Sequence, residues 1–289
     1  MKLVTYSPLP SGTPRAGILL DGNKIAEATG FPTMLDIIRG GAAAMDKLKA
    51  LAAKPGATVD LANVKLHAPI PRPTKNVFCV GWNYLEHFEE GAKKLEEKRE
   101  LPKYPVFFSK APTAVNDPTG TIPYDAAIST SLDWEVELGV VIGPGGKNIS
   151  EADAMSHVFG YTVMNDVTWR DVQRRHGGQW HKGKSFDGTC PMGPVIVTAD
   201  SLDHTNLKVE CRVNGVAKQS SNTKFMYFKV PRLIAELSLG MTLEPGDLIS
   251  SGTPEGVGFA RTPPEFLQPG DLLETEIEGI GVLRNPIGK

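Results

Sequence analysis

The clearest pattern in the chain is an alternation of apolar and polar positions from Leu132 to Val140. The apolar set is Leu132, Trp134, Val136, Leu138 and Val140, and the other set is Asp133, Glu135, Glu137 and Gly139. A period of two predicts a β-strand, in which successive side chains point to opposite faces. Glu135 and Glu137 therefore share one face, about two rises of ~3.3 Å apart, which suits two ligands of one cation.

A second apolar run, from His157 to Met164, predicts another strand, and Asp166 lies just past its end. Loops at strand ends often carry chemistry, so Asp166 could join Glu135 and Glu137 in a site for a hard cation. The residues alone leave two other interpretations open. The glutamates could lie on a solvated strand face, and Asp166 could be the N-cap of a helix over 167–175.

Helical spacing and turn residues predict further elements. The Ala- and Leu-rich stretch Met34–Ala53 predicts a helix, and so does the segment from about Lys229 to Leu239. The pattern Leu-x-Pro-Gly-Asp-Leu occurs at 243–248 and again at 267–272. Each Pro-Gly pair suits the centre of a type II turn, so a strand should follow both.

A proline cluster divides the chain. Three prolines between Pro69 and Pro73 interrupt regular structure, because proline removes a backbone donor and fixes φ. We place a domain boundary there, with a small N-terminal domain at 1–70 and a larger catalytic domain at 71–289. Short apolar runs alternate with turns from 190 onward, which favours a β-rich α+β fold.

Composition and charge exclude several partner classes. The 289 residues are 40% hydrophobic and 22% charged, which is ample for a large core. A net charge of −2 and a pI near 6.3 give no basic field for nucleic acid, and the basic cluster at 170–176 better fits a small anionic substrate. The N-terminus lacks an apolar signal core, and no stretch reaches the ~18 apolar residues of a membrane span. We therefore expect a cytoplasmic protein with no membrane partner.

The cysteines and glycines exclude other chemistry. Cys79, Cys190 and Cys211 are odd in number and lack CxxC spacing, so neither a disulfide framework nor a thiolate zinc site is indicated. Cys79 lies in an apolar run and is expected to be a buried structural thiol. The glycine-rich segments at 143–147 and 252–258 match neither a P-loop nor a Rossmann fingerprint, so nucleotide binding has no support.

The densely charged segment 85–103 predicts a helix with a Glu90–Lys94 pair at i, i+4. His87 lies three residues before Glu90, so the same turn could form a His–carboxylate dyad for general acid–base chemistry. The Glu90 carboxylate cannot pair fully with both Lys94 and His87. The residues alone leave surface pairing and the dyad open.

Six segments carry a family resemblance that extends from about Lys75 to Pro286. They are GWNYLEH at 81–87, DWEVEL at 133–138, NDVTWRD at 165–171, GKSFD at 183–187, LEPGD at 243–247 and SGTPEGVG at 251–258. Together they resemble the fumarylacetoacetate hydrolase family, in the branch of acylpyruvases and 2-hydroxyhepta-2,4-diene-1,7-dioate isomerases. The resemblance implies a mixed β-roll catalytic domain, a small N-terminal accessory domain and a homodimer.

The resemblance also implies roles for single residues. Mg²⁺, or alternatively Mn²⁺, would be held by Glu135, Glu137 and Asp166. The catalytic residues would be His87, Glu90 and Lys184, with the dyad on a lid that orders when substrate binds. Substrate contacts would come from Arg170, Gln173 and Thr253.

Two positions depart from the family pattern. Trp169 stands where members commonly have a small residue, and it would either narrow the pocket or fill the core. The loop 177–181 is also distinctive, and its His181 would either contact substrate or lie at the surface.

The implied site predicts a metal-dependent hydrolase that cleaves a C–C bond of a small 2,4-dioxo acid of acylpyruvate type. A bound cation stabilises pyruvate enolate as a Lewis acid, while His87 and Glu90 deprotonate the attacking water. Alternatives using the same enolate are decarboxylation of oxaloacetate or a related β-keto acid and isomerisation or hydration of dienoic 2-oxo acids. Ureidoglycolate cleavage is a further family activity. A non-catalytic scaffold is disfavoured, because converging buried charges are costly to desolvate.

Overall fold

The structure is a computed structural model that describes residues 1–10, 12–95 and 100–288. Its helices are α1 (Met34–Ala53), α2 (Leu85–Lys94), α3 (Arg170–Arg175), α4 (His181–Lys184) and α5 (Val230–Ser238). The first strands are β1 (Lys2–Pro8), β2 (Arg15–Leu20), β3 (Lys24–Glu27), β4 (Thr58–Asp60), β5 (Val64–His67), β6 (Val77–Gly81), β7 (Val106–Lys110), β8 (Val115–Asn116) and β9 (Leu132–Asp133). The others are β10 (Val136–Ile142), β11 (Val158–Asn165), β12 (Thr168–Trp169), β13 (Cys190–Thr198), β14 (Lys208–Val213), β15 (Val216–Asn222), β16 (Leu248–Ser250), β17 (Leu272–Ile277) and β18 (Gly281–Pro286).

One large mixed sheet dominates the fold. Its strand order is β4-β3-β2-β1-β13-β11-β10-β16-β6-β7, with β5 paired to β1 and β8 paired to β13. The neighbours β16 and β6, and β13 and β8, are parallel, whereas the other pairs are antiparallel. A second sheet has the order β15-β14-β17-β18, and β9 and β12 form a short separate pair. The predicted β-rich α+β fold is therefore confirmed.

The N-terminal residues contribute to the same large sheet. Strand β1 pairs with β13 through Lys2↔Val197 and Leu3↔Ile196. On one side of the sheet, apolar residues of α1 such as Ile37 share a buried cluster with Met164. The division into domains at residue 70, like the homodimer, stays a prediction.

Elements with strong local signals lie where the sequence predicted them. Helix α1 begins after Thr33, whose Oγ1 accepts from Asp36 N at 3.2 Å while Asp36 Oδ2 accepts from Thr33 N at 3.0 Å, a capping box. Gly246 and Gly270 have φ values of 92° and 95°, as the third residue of a type II turn requires. Strands β16 and β17 follow these turns, and α5 matches the predicted helix.

One prediction and one alternative interpretation around the carboxylates are wrong. The strand predicted over 132–140 is interrupted at 134–135, because Trp134 N donates to the Asp133 side chain at 2.8 Å and Glu135 N to the Asn165 side chain at 2.9 Å. Strand β10 is buried along its whole length, because apolar clusters cover both of its faces, with Leu138 and Val140 in one cluster and Val141 in the other, so it has no solvated face.

The helix predicted over 167–175 is also shorter than expected. Residues 168–169 pair with β9, and α3 begins only at Arg170. Asp166 is therefore not a helix N-cap.

Helix α2 ends at Lys94, residues 96–99 of the predicted helix lie outside the described residues, and 100–103 are not helical. In the described part of the chain, no helix combines the length and apolar character needed to cross a bilayer.

Candidate metal centre and active site

Three carboxylates meet at the junction of β10 and β11. The register pairs Val136 with Asn165, which places Glu135 and Glu137 on either side of the point where β11 ends and Asp166 follows. One oxygen of each carboxylate lies within 4.8 Å of the other two, and all three side chains are buried. The structure thus brings together the three residues that the sequence proposed as metal ligands.

Cationic side chains surround this cluster. Lys184 Nζ lies 2.7 Å from both Glu135 Oε2 and Asp166 Oδ2. Arg170 Nη2 lies 2.6 Å from Glu135 Oε1, and its Nε donates to Asp133 Oδ2 at 2.7 Å. Lys110, fully buried at the end of β7, has its Nζ 2.9 Å from Asp166 Oδ1 and donates to Val167 O at 3.0 Å.

The surroundings shift the pKa values of Glu135 and Glu137 in opposite directions. Burial by itself raises the pKa of Glu135, but the charges of Lys184 and Arg170 outweigh burial and lower that pKa to about 2. Burial and the negative charges of Asp166 and Glu135 raise the pKa of Glu137 well above its usual range. Glu137 therefore ionises readily only with a further positive charge beside it.

The residues present fit a divalent cation. The donor set is entirely carboxylate oxygen, which selects hard cations. Glu137 Oε2 accepts from Ser250 Oγ at 2.6 Å and Gly252 N at 2.9 Å, which fixes the carboxylate and leaves Oε1 for the cluster. With all of them ionised, four buried carboxylates (133, 135, 137, 166) and three cationic side chains (110, 170, 184) have a formal charge of −1. A divalent cation changes it to +1, which favours an anionic substrate.

The predicted dyad is present on α2. His87 Nδ1 and Glu90 Oε1 are 2.9 Å apart. Both Glu90 oxygens also accept from Gly256 N, at 3.1 and 3.0 Å, which fixes the carboxylate against the loop after β16. The predicted Glu90–Lys94 pair is wrong, because Lys94 Nζ donates instead to Arg261 O at 2.9 Å.

A cavity of about 250 Å³ connects these groups. The predicted site residues that line it are His87, Glu135, Glu137, Arg170, Gln173, Lys184 and Thr253. Asp166 and Glu90 are not in its wall and contact it through Lys184 and His87 respectively. Thr253 Oγ1 accepts from Gln219 Nε2 at 2.8 Å, which holds the hydroxyl at the cavity wall.

The structure adds site residues that the sequence did not single out. Lys110 was missed, and its only signal is a lysine that closes the apolar run of β7. Trp82 and Trp180 form an aromatic wall of the cavity, with ring centroids 5.0 Å apart. Trp82 has a φ of 54°, uncommon for a bulky side chain, and such backbone strain concentrates at functional sites. Phe259 also lines the cavity.

Of the two departures from the family pattern, Trp169 lies outside this cavity, whereas the loop 177–181 contributes Gly178 and Trp180, but not His181, to its wall. Trp169 is 2% exposed and packs on Tyr124 and Phe186, with centroids 5.4 and 6.0 Å away, so it fills core. The exposed His181 hydrogen-bonds through Nδ1 to the carbonyl oxygen of Ser109 at 3.0 Å.

Metal binding should stabilise a protein that is already folded. The apolar clusters extend far beyond the carboxylates, so we expect EDTA-treated protein to keep its circular dichroism and to unfold cooperatively. Mg²⁺ at about 100 times its Kd should add about 2.7 kcal/mol, which raises Tm by roughly 4–5 °C for a chain of this size. Calorimetry with and without Mg²⁺ measures both. Unfolding on chelation would instead indicate a structural metal domain.

The fold and the site together define a β-rich α+β protein with a buried carboxylate cluster and a His–Glu dyad around one cavity. The family model described as fumarylacetoacetate (FAA) hydrolase C-terminal matches residues 76–288. The chain therefore belongs to the fumarylacetoacetate hydrolase family, a family of enzymes.

Similar proteins carry more specific names. The chain is 48% identical over 229 residues to the oxaloacetate tautomerase YisK of Bacillus subtilis, covering 79% of this chain and 74% of that protein. It is 41% identical over 295 residues to a mitochondrial oxaloacetate tautomerase of Xenopus laevis, covering 99% and 90% of the two chains. The solved fumarylacetoacetate hydrolase from Exiguobacterium antarcticum superposes with a TM-score of 0.85 at 38% identity, covering 100% of this chain and 99% of that one.

Proposed function

We propose that the protein is a divalent-metal-dependent tautomerase that interconverts the enol and keto forms of oxaloacetate. The observation that carries the proposal is the placement of the His87–Glu90 dyad and the carboxylate cluster around one cavity. Relatives named oxaloacetate tautomerases, one matching nearly the whole chain, support the choice of substrate. This reading replaces C–C hydrolysis, the leading prediction from the sequence, with a reaction of the same enolate.

The cation would be Mg²⁺ or Mn²⁺, held by Glu135, Glu137 and Asp166. When bound, it supplies Lewis-acid polarisation of the keto oxygen of a small anionic 2-oxo acid. Lys184 and Arg170 line the cavity beside it and add positive charge where the enolate oxygen develops. They also fix the Glu135 carboxylate, since both contact it.

His87 is the residue that transfers the proton. Its Nδ1 faces the Glu90 carboxylate, an acceptor, so the proton resides on Nδ1 and Nε2 is left as a base. In the ketonisation direction the enol loses its hydroxyl proton to Nε2, and C3 then receives a proton from the imidazolium. One group acts first as base and then as acid, so no net proton is consumed.

Hydrolysis of an acylpyruvate is the second candidate function. The same dyad could deprotonate a water molecule instead of the substrate. Activation of that water needs a base beside the cation, and His87 is such a base. In that reaction hydroxide attacks the C4 carbonyl, the C3–C4 bond breaks, and pyruvate enolate and an acid are released.

A side-by-side assay distinguishes these reactions. The loss of the ultraviolet absorbance of enol-oxaloacetate is followed with Mg²⁺ and with EDTA, and pyruvate formation is measured in parallel for oxaloacetate and acetylpyruvate. We expect Mg²⁺-dependent enol loss that outpaces pyruvate formation from either substrate. Mg²⁺ without protein sets the background, because free cations also promote enolisation.

Each other outcome has a clear meaning. Cleavage of acetylpyruvate that is faster than oxaloacetate tautomerisation would establish the hydrolase. Pyruvate formed from oxaloacetate as fast as the enol disappears would establish the decarboxylase. Enol loss equal to the protein-free background would reject the tautomerase.

A further inference from the structure

Four hydrogen-bond donors converge on the side chain of Asp133, which is fully buried at the last residue of β9. Its Oδ1 accepts from Trp134 N at 2.8 Å and from Gly258 N at 2.7 Å. Its Oδ2 accepts from Phe259 N at 3.0 Å and from Arg170 Nε at 2.7 Å. Each carboxylate oxygen therefore has two donors, which fixes the orientation of the group.

One of these donors connects Asp133 to the carboxylate cluster. Arg170 donates to Asp133 through Nε, and its Nη2 lies 2.6 Å from Glu135 Oε1. Two carboxylates thus hold two nitrogens of one planar guanidinium, which sets both its plane and its direction. Arg170 lines the cavity, whereas Asp133 is outside the described part of the cavity wall. Asp133 therefore acts on a substrate only through its partners.

The backbone donors connect Asp133 to the dyad. They belong to the segment 256–261, which at Gly256 N also donates to both oxygens of Glu90, at 3.1 and 3.0 Å. A Cβ atom on Gly258 would lie 2.6 Å from Asp133 Oδ1, so this close approach of the segment requires glycine there. Asp133 thus fixes the segment that holds the carboxylate of the dyad.

We propose that Asp133 is a positioning residue for tautomerisation, which sets Arg170 at the carboxylate cluster and the segment 256–261 against the His87–Glu90 dyad. The inference rests on the proposed function, in which Arg170 adds positive charge beside the enolate and His87 moves the proton. Both groups must be in place together, because negative charge develops on the oxygen as the proton moves. The position of the Asp133 carboxylate matters, and not its charge alone.

The test is a double-mutant cycle between Asp133→Asn and Arg170→Gln in the Mg²⁺-loaded full-length protein. An amide nitrogen cannot accept, so Asp133→Asn leaves two of the four donors without an acceptor in either orientation. Partners that orient the groups of a site typically contribute about 10- to 100-fold, and we expect that loss in kcat/KM for enol-oxaloacetate. On the Arg170→Gln background the same substitution should cost at least about threefold less, because one of its partners is already gone.

Asp133→Glu separates position from charge. It keeps an ionised carboxylate but moves it by one methylene group, so we expect kcat/KM to fall about 10-fold, whereas a role in charge alone predicts the wild-type value. Circular dichroism shows whether each variant is folded. If the amide variant does not fold, Asp133→Glu takes its place in the cycle.

The matched control is Asp247→Asn. Asp247 is also a buried carboxylate that accepts from a backbone N–H and a cation, Glu244 N at 2.8 Å and Lys75 Nζ at 3.0 Å. It is outside the described part of the cavity wall. Its substitution should lower Tm as Asp133→Asn does, but leave kcat/KM within about twofold of wild type.

Binding of oxalate, measured by calorimetry, gives a second readout that does not depend on turnover. Oxalate has no C3 and cannot tautomerise, but it presents adjacent anionic oxygens as the enolate of a 2-oxo acid does. In the Mg²⁺-loaded protein, Asp133→Asn should weaken oxalate binding about 10-fold, and at least about threefold less on the Arg170→Gln background.

Three outcomes would overturn the inference while the proposed function stands. They are an equal loss from Asp133→Asn on the wild-type and Arg170→Gln backgrounds, a wild-type kcat/KM in Asp133→Glu, and an equal loss of kcat/KM in Asp247→Asn. Wild-type protein that does not tautomerise oxaloacetate would instead remove the proposed function. Oxalate binding would then still report whether Asp133 sets Arg170, so the two failures are distinguishable.

Discussion

Glu137→Gln should abolish Mg²⁺-dependent tautomerisation while leaving the fold intact. Lewis-acid assistance is worth several kcal/mol, so its loss should lower kcat/KM by roughly 10³-fold or more. The amide keeps the shape of the side chain and an oxygen acceptor for Ser250 and Gly252. It also removes a negative charge beside Glu135 and Asp166, so the stability of metal-free protein should not fall. Calorimetric titration with Mg²⁺ measures the loss of metal binding, and the enol assay measures the loss of tautomerisation.

Ser250→Ala provides the graded control. It removes one of the two hydrogen bonds that hold Glu137 Oε2 and leaves the ligand itself in place. Support of this kind is typically worth about 10- to 100-fold in metal affinity or activity, so Ser250→Ala should be intermediate between wild type and Glu137→Gln. Normal Mg²⁺ affinity in Glu137→Gln would remove Glu137 from the set of ligands.

Predictions from local signals succeeded because their causes are local. The capping box at Thr33 and the glycines of the two Pro-Gly turns act within a few residues, so the sequence shows them directly. The break at 134–135 has a different cause. Glu135 N donates to the side chain of Asn165, 30 residues later, and no periodicity in the strand itself contains that information.

The candidate site shows the same division. Glu135 and Glu137 could be paired from strand geometry alone, and His87 and Glu90 from one helical turn. The N-cap alternative for Asp166 could not be excluded from the sequence, because the partners of Asp166, Lys110 and Lys184, come from distant segments. The register between β10 and β11, which brings Asp166 to the glutamates, is a tertiary property that one sequence does not display.

Glu90 shows how tertiary contacts decided a choice that the sequence left open. Lys94 and His87 were both possible partners on the same helix. The carboxylate accepts from Gly256 N and contacts His87, while Lys94 is engaged by the carbonyl oxygen of Arg261. These two contacts tie α2 to the segment 256–261. The dyad is therefore a product of how the helix docks and not only of its i, i+3 spacing.

His87→Asn should lower kcat for tautomerisation about 10²- to 10⁴-fold without weakening Mg²⁺ binding. Asparagine keeps a polar group of similar reach beside Glu90 but cannot act as a base near neutral pH. His87 is not among the proposed metal ligands Glu135, Glu137 and Asp166, so the Mg²⁺ affinity measured by calorimetry should match that of wild type. The loss should also appear as slower exchange of the C3 protons of oxaloacetate in deuterium oxide, measured by NMR, because that exchange needs the same proton transfer.

The matched control is His181→Asn. His181 is exposed, hydrogen-bonds to Ser109 and is not among the residues that line the cavity, so its removal should leave kcat and C3 exchange within about twofold of wild type. A wild-type rate of C3 exchange in His87→Asn would show that another group moves the proton. If tautomerisation fell but acetylpyruvate cleavage did not, the two reactions would use different bases, and the dyad would belong only to the first. Loss of both would place His87 at the common step, because each reaction then draws on the same imidazole.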